Sequence, residues 1–178
     1  MARRWVELMK RGSGLTILEI PHQTQLNPGR QLKAGSTRVI VSLSNPIMAD
    51  GLKFLLAREF TVLDVAQPDG LIDAAERLRP NLIVTDIPVP FPDEFDVIVE
   101  LLRRRPESRV VVTAWSADRS LAARAFRVGV FGYLKLDGPT EDLLTAVRDV
   151  AAGRLYLAKS VAPDIVTLLM GPARASGS

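Results

Sequence analysis

Short apolar runs alternate with amphipathic segments through the middle of the chain. Runs rich in valine, isoleucine and leucine predict five buried strands, at residues 38–44, 61–66, 81–86, 109–114 and 131–136. The intervening segments carry apolar residues three and four positions apart, which predicts helices at about 46–58, 69–79, 93–105, 116–129 and 139–152. This alternation is typical of an α/β fold with a parallel sheet, right-handed crossovers and helices on both faces.

The two ends of the chain depart from this pattern. Residues 2–10 fit a short amphipathic helix, residues 15–20 an extra edge strand, and residues 21–36 a polar linker. Residues 160–170 predict a last helix, and the tail after them is predicted to be disordered. We therefore expect a basic N-terminal extension and linker at 1–36, an α/β domain at 37–158, and a C-terminal linker helix and tail at 159–178.

Composition excludes several classes of function. The chain has no cysteine and a single histidine, His22, which excludes disulfides, cysteine nucleophiles and histidine-rich metal sites. No apolar run approaches the roughly 18 residues of a membrane span, and no secretory signal is indicated, so we expect a cytoplasmic protein. Since the sequence offers no nucleophile–base pair and no metal cluster, we expect neither catalytic residues nor an enzyme.

The positive charge is concentrated in the extension. Residues 1–36 hold six Lys/Arg and two Glu, whereas the remaining residues hold 17 basic and 18 acidic side chains. A nucleic-acid-binding body would more often carry a basic face of its own. The balanced α/β part is therefore not expected to contact DNA directly.

One acidic residue occupies a chemically favoured position. Asp86 ends the third apolar run, and a proline-rich segment, 88–92, follows one residue later. Prolines end a strand and stiffen the loop behind it. Because ligands of open α/β sheets bind outside the carboxyl ends of the strands, Asp86 is the leading candidate for a functional residue.

Several short sequence motifs, in order along the chain, point to a family. They are Asn45-Pro46 with Gly51-Leu52, Arg79-Pro80-Asn81, Asp86 with Val89-Pro90, Gly132-Tyr133-Leu134, and Ala151-Ala152-Gly153 with Tyr156-Leu157. From about residue 38 to 170, the chain resembles the receiver domains of two-component response regulators, of the kind joined to helix-turn-helix DNA-binding outputs. The resemblance implies a flavodoxin-like, five-stranded parallel sheet in the order 2-1-3-4-5.

The resemblance also implies a chemistry for Asp86. In that family, a histidine kinase or a small phosphodonor transfers a phosphoryl group to the aspartate at the end of the third strand. Both reactants are anionic, so a Mg²⁺ held by hard oxygen ligands lies between them. The family supplies two acids after the first strand for the metal, and a Thr/Ser hydroxyl and a lysine for the phosphoryl oxygens.

This sequence departs from the family at those supporting positions. The two acids fall on Leu43 and Ser44, of which the first cannot bind a metal and the second carries no charge. The hydroxyl position falls on Ala114, and the lysine position falls on Leu136. The resemblance therefore implies a degenerate pocket and no resident cofactor, with Mg²⁺ needed only if phosphorylation is retained.

Three nearby residues keep part of the family pattern. Thr113 and Lys135 each precede the expected position by one residue, so strand alternation places both on the wrong face unless a one-residue slip restores Thr113. Tyr133 matches the aromatic that reports phosphorylation in the family. Tyr133 and Thr113 are thus switch-like candidates, and static packing is the plainer interpretation of Tyr133.

We expect an atypical receiver that regulates signalling or transcription through a protein partner or as a dimer. The contact would use the fourth helix, the fifth strand and the fifth helix, around Leu121 and Val147. Charge pairs at this face would come from Arg119, Arg124, Arg127, Asp142, Arg148 and Asp149. DNA would be reached only through an output domain that this chain does not contain.

Two alternatives remain open from the sequence. The first is a conventional phospho-acceptor regulator in which a histidine kinase and Mg²⁺ act on Asp86. The second is a flavodoxin-like module that binds a small ligand in the strand-end cleft, which Leu43 and Ser44 make less acidic.

Overall fold

The computed structural model describes residues 15–17, 36–65, 68–87, 95–115 and 118–158. The strands are β1 (Leu15–Ile17), β2 (Arg38–Ser42), β3 (Thr61–Val65), β4 (Leu82–Asp86), β5 (Arg109–Ala114), β6 (Gly132–Lys135) and β7 (Leu155–Leu157). The helices are α1 (Pro46–Leu56), α2 (Leu71–Leu78), α3 (Asp96–Arg104), α4 (Arg119–Arg127) and α5 (Thr140–Ala151). The helices expected at 2–10 and 160–170 lie outside the described residues.

The described strands form one sheet in the order β1-β7-β6-β5-β4-β2-β3. Its five predicted strands, β2 to β6, are all parallel, and their arrangement confirms the expected order 2-1-3-4-5. The edge strand expected in the extension is also confirmed, over Leu15–Ile17. It pairs antiparallel with β7, which itself pairs parallel with β6. Strand β6 is the fifth strand of the predicted order and part of the expected contact face. It therefore has neighbouring strands on both sides.

Helices cover both faces of the sheet, since every residue of β4 and β5 is buried. On one face, α5 is joined to the turn that follows α1, where Arg148 Nε donates a hydrogen bond of 2.8 Å to Glu59. On the other face, α2 and α3 are joined by an ion pair of 3.3 Å between Arg104 and Glu76. The α4 helix completes this second layer.

Helix ends follow local capping chemistry, with two corrections to the sequence predictions. The side chain of Asn45 accepts the N–H groups of Ile47 and Met48 and begins α1. The helix predicted from about residue 116 begins later, at Arg119, because Asp118 caps it by accepting the Leu121 N–H at 3.0 Å. The helix predicted from about residue 69 begins at Leu71, since Asp69 lies in a 3₁₀ turn, Pro68–Gly70, ahead of it.

A buried cation fixes the end of α5 to the sheet. Arg109, at the start of β5, is 7% exposed, and its guanidinium donates to the carbonyls of Val150 at 2.9 Å and Ala151 at 2.7 Å. A cation suits the C-terminus of a helix, where carbonyls lack intrahelical partners. Burial lowers the pKa of the guanidinium. This contact holds α5 over the strands that carry the candidate site.

Candidate functional site

The Asp86 carboxylate lies at the end of β4 and is held by a single residue of the β2–α1 turn. The main-chain N–H of Ser44 lies 3.0 Å from Oδ1 and 2.9 Å from Oδ2, and the Ser44 hydroxyl lies 3.2 Å from Oδ1. The carboxylate is largely buried, with 7% of the residue exposed. Hydrogen bonds from the protein thus compensate both oxygens of a buried acid.

The local sequence explains why the turn presents an N–H group here. Leu43 is 1% exposed and packs into the hydrophobic core directly after β2. The Asn45 cap and Pro46 then turn the chain into α1, and this leaves the amide of Ser44 directed at the strand end. At the two positions where the family resemblance puts acids, the structure thus has a core side chain and a hydrogen-bond donor.

Thr113 lies beside Asp86 but uses its hydroxyl elsewhere. The β4–β5 register pairs the two residues, so their side chains share a face of the sheet. This corrects the face inferred from the sequence, because alternation along one strand does not reveal the stagger between neighbours. The buried Thr113 hydroxyl donates to the Thr85 carbonyl at 3.3 Å, and the next residue, Ala114, is buried without a polar group.

The lysine near the site is paired with a different carboxylate. Lys135 lies opposite Ala114 in the β5–β6 register, one position away from the row that contains Thr113. Its ammonium makes an ion pair of 2.8 Å with Asp137. The following residue, Leu136, donates its main-chain N–H to the Ala114 carbonyl at 2.8 Å. Of the predicted site residues, Ser44 is the one whose hydrogen bonds join it to Asp86.

The face expected to bind a partner is partly closed. Leu121 and Val147 are core residues, because α4 and α5 direct them towards the sheet, so both were wrongly placed at the surface. Arg148 pairs with Glu59 in the turn after α1, and Asp149 pairs with Arg154. Four of the predicted charges, Arg124, Arg127, Asp142 and Arg148, are exposed.

Tyr133 is fully buried, at 0% exposure. Tyr133 belongs to β6, and in the sheet it lies between Val112 of β5 and Leu157 of β7. Its carbonyl accepts the N–H of Ala158 at 3.2 Å, so the chain beyond β7 is held against the same residue.

A cleft of about 240 Å³ opens beside Asp86's strand end, between α1 and α5. Its apolar wall includes Leu43, Met48, Leu52, Leu136 and Leu143, with Thr113, Lys135 and Thr140 as polar members. The sequence indicated a cleft at the strand ends, but the contribution of both helices depends on packing between distant segments.

The ionisable groups of the described residues set limits on the chemistry. No group of three or more His, Cys, Asp or Glu side chains in this part of the chain is placed to hold a metal. None of the described helices is long and apolar enough to cross a membrane. Asp86 offers one carboxylate, faced by N–H and hydroxyl donors.

These features define a class of protein. A parallel sheet of order 2-1-3-4-5, layered by helices and ending its central strand in an aspartate, is the architecture of a receiver domain.

Comparison with known proteins agrees. The chain is 30% identical over 128 residues to the nitrate/nitrite response regulator NarL of Escherichia coli K12, covering 70% of this chain and 59% of NarL. It is 24% identical over 139 residues to the transcriptional regulatory protein DegU of Brevibacillus brevis, covering 76% and 59%. The described domain is a receiver domain of the response-regulator family. No protein-family model matches the chain.

Solved structures show the same fold. A LuxR-family response regulator from Aurantimonas superposes with a TM-score of 0.66 at 20% identity, covering 75% of this chain and 95% of that one. The isolated receiver (REC) domain of RcsB from Salmonella enterica gives a TM-score of 0.63 at 19% identity, covering 70% and 95%. The chain spans 59% of the length of the curated relatives NarL and DegU.

Proposed function

We propose that this protein is an atypical receiver that regulates signalling or transcription through protein–protein contact, without Mg²⁺-dependent phosphorylation of Asp86. The observation that carries the proposal is the contact between Ser44 and Asp86. Hydrogen-bond donors from Ser44 face both carboxylate oxygens, at the place where a metal-binding acid is expected.

The described residues around Asp86 do not fit a magnesium ion. Mg²⁺ requires near-octahedral oxygen ligands and is usually bound through carboxylates. Leu43 contributes only carbon atoms, and the N–H of Ser44 carries partial positive charge towards the carboxylate. The hydroxyl of Thr113 and the ammonium of Lys135 are bonded to Thr85 and Asp137. A phosphoryl group would therefore lack both its metal and its usual contacts.

Contact with a partner protein or a second copy is the function that remains for such a domain. RcsB, a structural neighbour, is described as two dimers bound to two parallel DNAs. For this protein we assign the contact to the surface around α4, α5 and the adjoining sheet edge, where Arg124, Arg127 and Asp142 are exposed. Contact with DNA is assigned to an output domain and not to the receiver fold.

Incubation with acetyl phosphate and Mg²⁺, followed by intact-protein mass spectrometry, tests the proposal. The expected result is no added phosphoryl group, in parallel with the RcsB receiver domain, which has been solved with the phosphomimetic BeF3⁻, as positive control. A Mg²⁺-dependent, saturable addition that disappears in Asp86→Asn would overturn it and establish a conventional phospho-acceptor.

Self-association gives a second measurement. Light scattering should return the same concentration dependence of mass for wild type and Asp86→Asn, with or without the phosphodonor. A mass that increases only after incubation with acetyl phosphate contradicts the proposal.

A second candidate function rests on the cleft between α1 and α5. Its wall is mostly leucine, and its volume of about 240 Å³ would hold a small, largely apolar molecule. Thermal unfolding without Mg²⁺ against short-chain aliphatic carboxylates tests this candidate. A stabilisation lost in Leu43→Asp would support it, and unchanged melting across the series would reject it.

A further inference from the structure

The sheet edge next to β6 is built from a short apolar strand, β7. The β7 strand has three residues, and it pairs with β6 at Gly132 and Tyr133. Leu155, Tyr156 and Leu157 are all buried. An edge strand with open backbone groups and apolar side chains is a template for pairing with another chain. This edge therefore needs a cover.

The cover is β1, and its sequence resembles that of the strand it pairs with. Leu15 lies opposite Leu157, Thr16 opposite Tyr156 and Ile17 opposite Leu155, in an antiparallel ladder. The two strands read Leu-Thr-Ile and Leu-Tyr-Leu, each with an uncharged polar residue between two aliphatic ones.

We propose that β1 stands in for the β7 strand of a second copy of this chain. Two β7 strands related by a two-fold axis are necessarily antiparallel, which is also the direction of β1 against β7. In that arrangement Tyr156 of each copy lies at the axis, opposite its equivalent. Displacement of β1 opens the edge, and two copies then pair through β7 into one continuous sheet.

The docking of β1 can be reversed at little cost. Twenty residues, 18–37, connect β1 to β2, which lies five positions away in the sheet. Five strand spacings amount to about 24 Å, and a chain of twenty residues reaches up to about 66 Å. A three-residue strand also belongs to the low end of local stability, because it adds few hydrogen bonds. This inference deepens the proposed function by naming the self-association surface and what covers it.

Engineered cysteines test whether β1 binds its own chain, because the native chain contains none. Directly opposed positions in an antiparallel ladder have Cα atoms about 4.5–5.5 Å apart, within the range of a disulfide. Thr16→Cys with Tyr156→Cys should form an intramolecular disulfide in a monomer. Thr16→Cys with Leu157→Cys, one position out of register, is the matched control and should form it poorly. A disulfide that joins position 16 of one chain to position 156 of another, located by peptide mapping, would overturn the proposal.

Thr16→Pro tests the second half of the proposal, since proline removes a backbone donor from β1. Light scattering should show dimers of Thr16→Pro at a concentration where wild type, Thr24→Pro and the oxidised Thr16→Cys/Tyr156→Cys protein are monomeric. Adding Tyr156→Cys to Thr16→Pro should then give a disulfide between chains. Leu15→Lys serves as an independent way to displace β1.

The outcomes are distinct from those of the phosphorylation test. If Thr16→Pro and Leu15→Lys both stay monomeric and folded, or if Tyr156→Cys fails to join the two chains of the dimer, the strand-replacement proposal is wrong. Neither result changes whether Asp86 accepts a phosphoryl group, so the proposed function stands or fails separately.

Discussion

The amide of Ser44 approaches both carboxylate oxygens of Asp86, at 3.0 and 2.9 Å. In the family resemblance this position holds an acid, which attracts a cation. Here the side chain at the same position is a neutral hydroxyl, which lies 3.2 Å from the carboxylate beside the main-chain N–H. The aspartate that identifies the family is thus stabilised by the protein itself, without a metal.

This contact predicts the sign of a stability change. Asp86→Asn keeps one acceptor oxygen but turns an amide NH₂ towards the Ser44 donors, so it should lower the free energy of unfolding by about 1–2 kcal/mol. In a site with clustered acids, the same change would relieve repulsion between like charges and raise stability. Urea denaturation measures the difference, with Asp50→Asn on the exposed side of α1 as the matched control. Equal or greater stability of Asp86→Asn would contradict this account of the site.

Restoring the acid pair should create metal dependence. Leu43→Asp with Ser44→Asp brings two carboxylates next to Asp86, and their repulsion and the burial at position 43 should destabilise the apo form. Mg²⁺ at about 100 times its Kd should then raise the free energy of unfolding by about 2.7 kcal/mol. The urea concentration at the unfolding midpoint, measured with and without Mg²⁺, tests this prediction.

The neutral pair Leu43→Asn with Ser44→Asn controls for size in that experiment and should show no Mg²⁺ effect. If the double acid does not fold, Ser44→Asp alone, at an exposed position, should show a weaker Mg²⁺-dependent shift. A shift of similar size in wild type would mean that the native site already binds the ion.

Arg109 should contribute to stability through the end of α5. Arg109→Met leaves the Val150 and Ala151 carbonyls without this donor, at an expected loss of about 2–3 kcal/mol. Arg109→Lys retains a cation and should lose less. Urea denaturation of the three proteins ranks them, and a methionine variant as stable as wild type would show that the contact is unimportant.

Tyr156 predicts a fall in stability at high pH. Burial, then the charges of Asp142 and Asp149, raise the pKa of its phenol to about 12. Because the folded-state pKa lies above the value of about 10 in an unfolded chain, the stabilisation is complete below about pH 10 and is lost as pH rises towards about 12. Unfolding free energies should decline by up to about 2–3 kcal/mol across that window. Tyr156→Phe should show a shallower decline, and parallel curves would contradict the prediction.

The parallel strands were predictable because they depend on local patterns, whereas their order in the sheet followed from the family resemblance. Each parallel strand is an apolar run, and Asp86 marks the end of the central one. The Gly129 turn was equally readable, since its φ of 103° is a conformation that glycine adopts without strain. The residues at the acid positions, Leu43 and Ser44, were also known from sequence alone.

The features that could not be predicted depend on packing between segments that are distant in the sequence. Leu121 and Val147 lie on the inner sides of their helices, and only the assembled layers decide which side that is. The start of α4 was predicted too early, because capping preference alone does not single out Asp118 among neighbouring polar residues. Arg109 read as an ordinary strand residue, because its partners lie about 40 positions away. The pairing of β7 with β1 likewise joins segments from opposite ends of the chain.

The pairing of β1 with β7 makes the sheet edge weak against tension that is applied in one direction. Leu15 and Leu157 are opposed, so the chain before β1 and the chain after β7 leave the ladder at the same end. Tension between residues 14 and 158 would load the paired positions one after another, starting at Leu15 and Leu157. The two strands would therefore separate one residue pair at a time. Pulling on whatever is attached at those two points thus uncovers β7 with far less force than sliding the strands past each other.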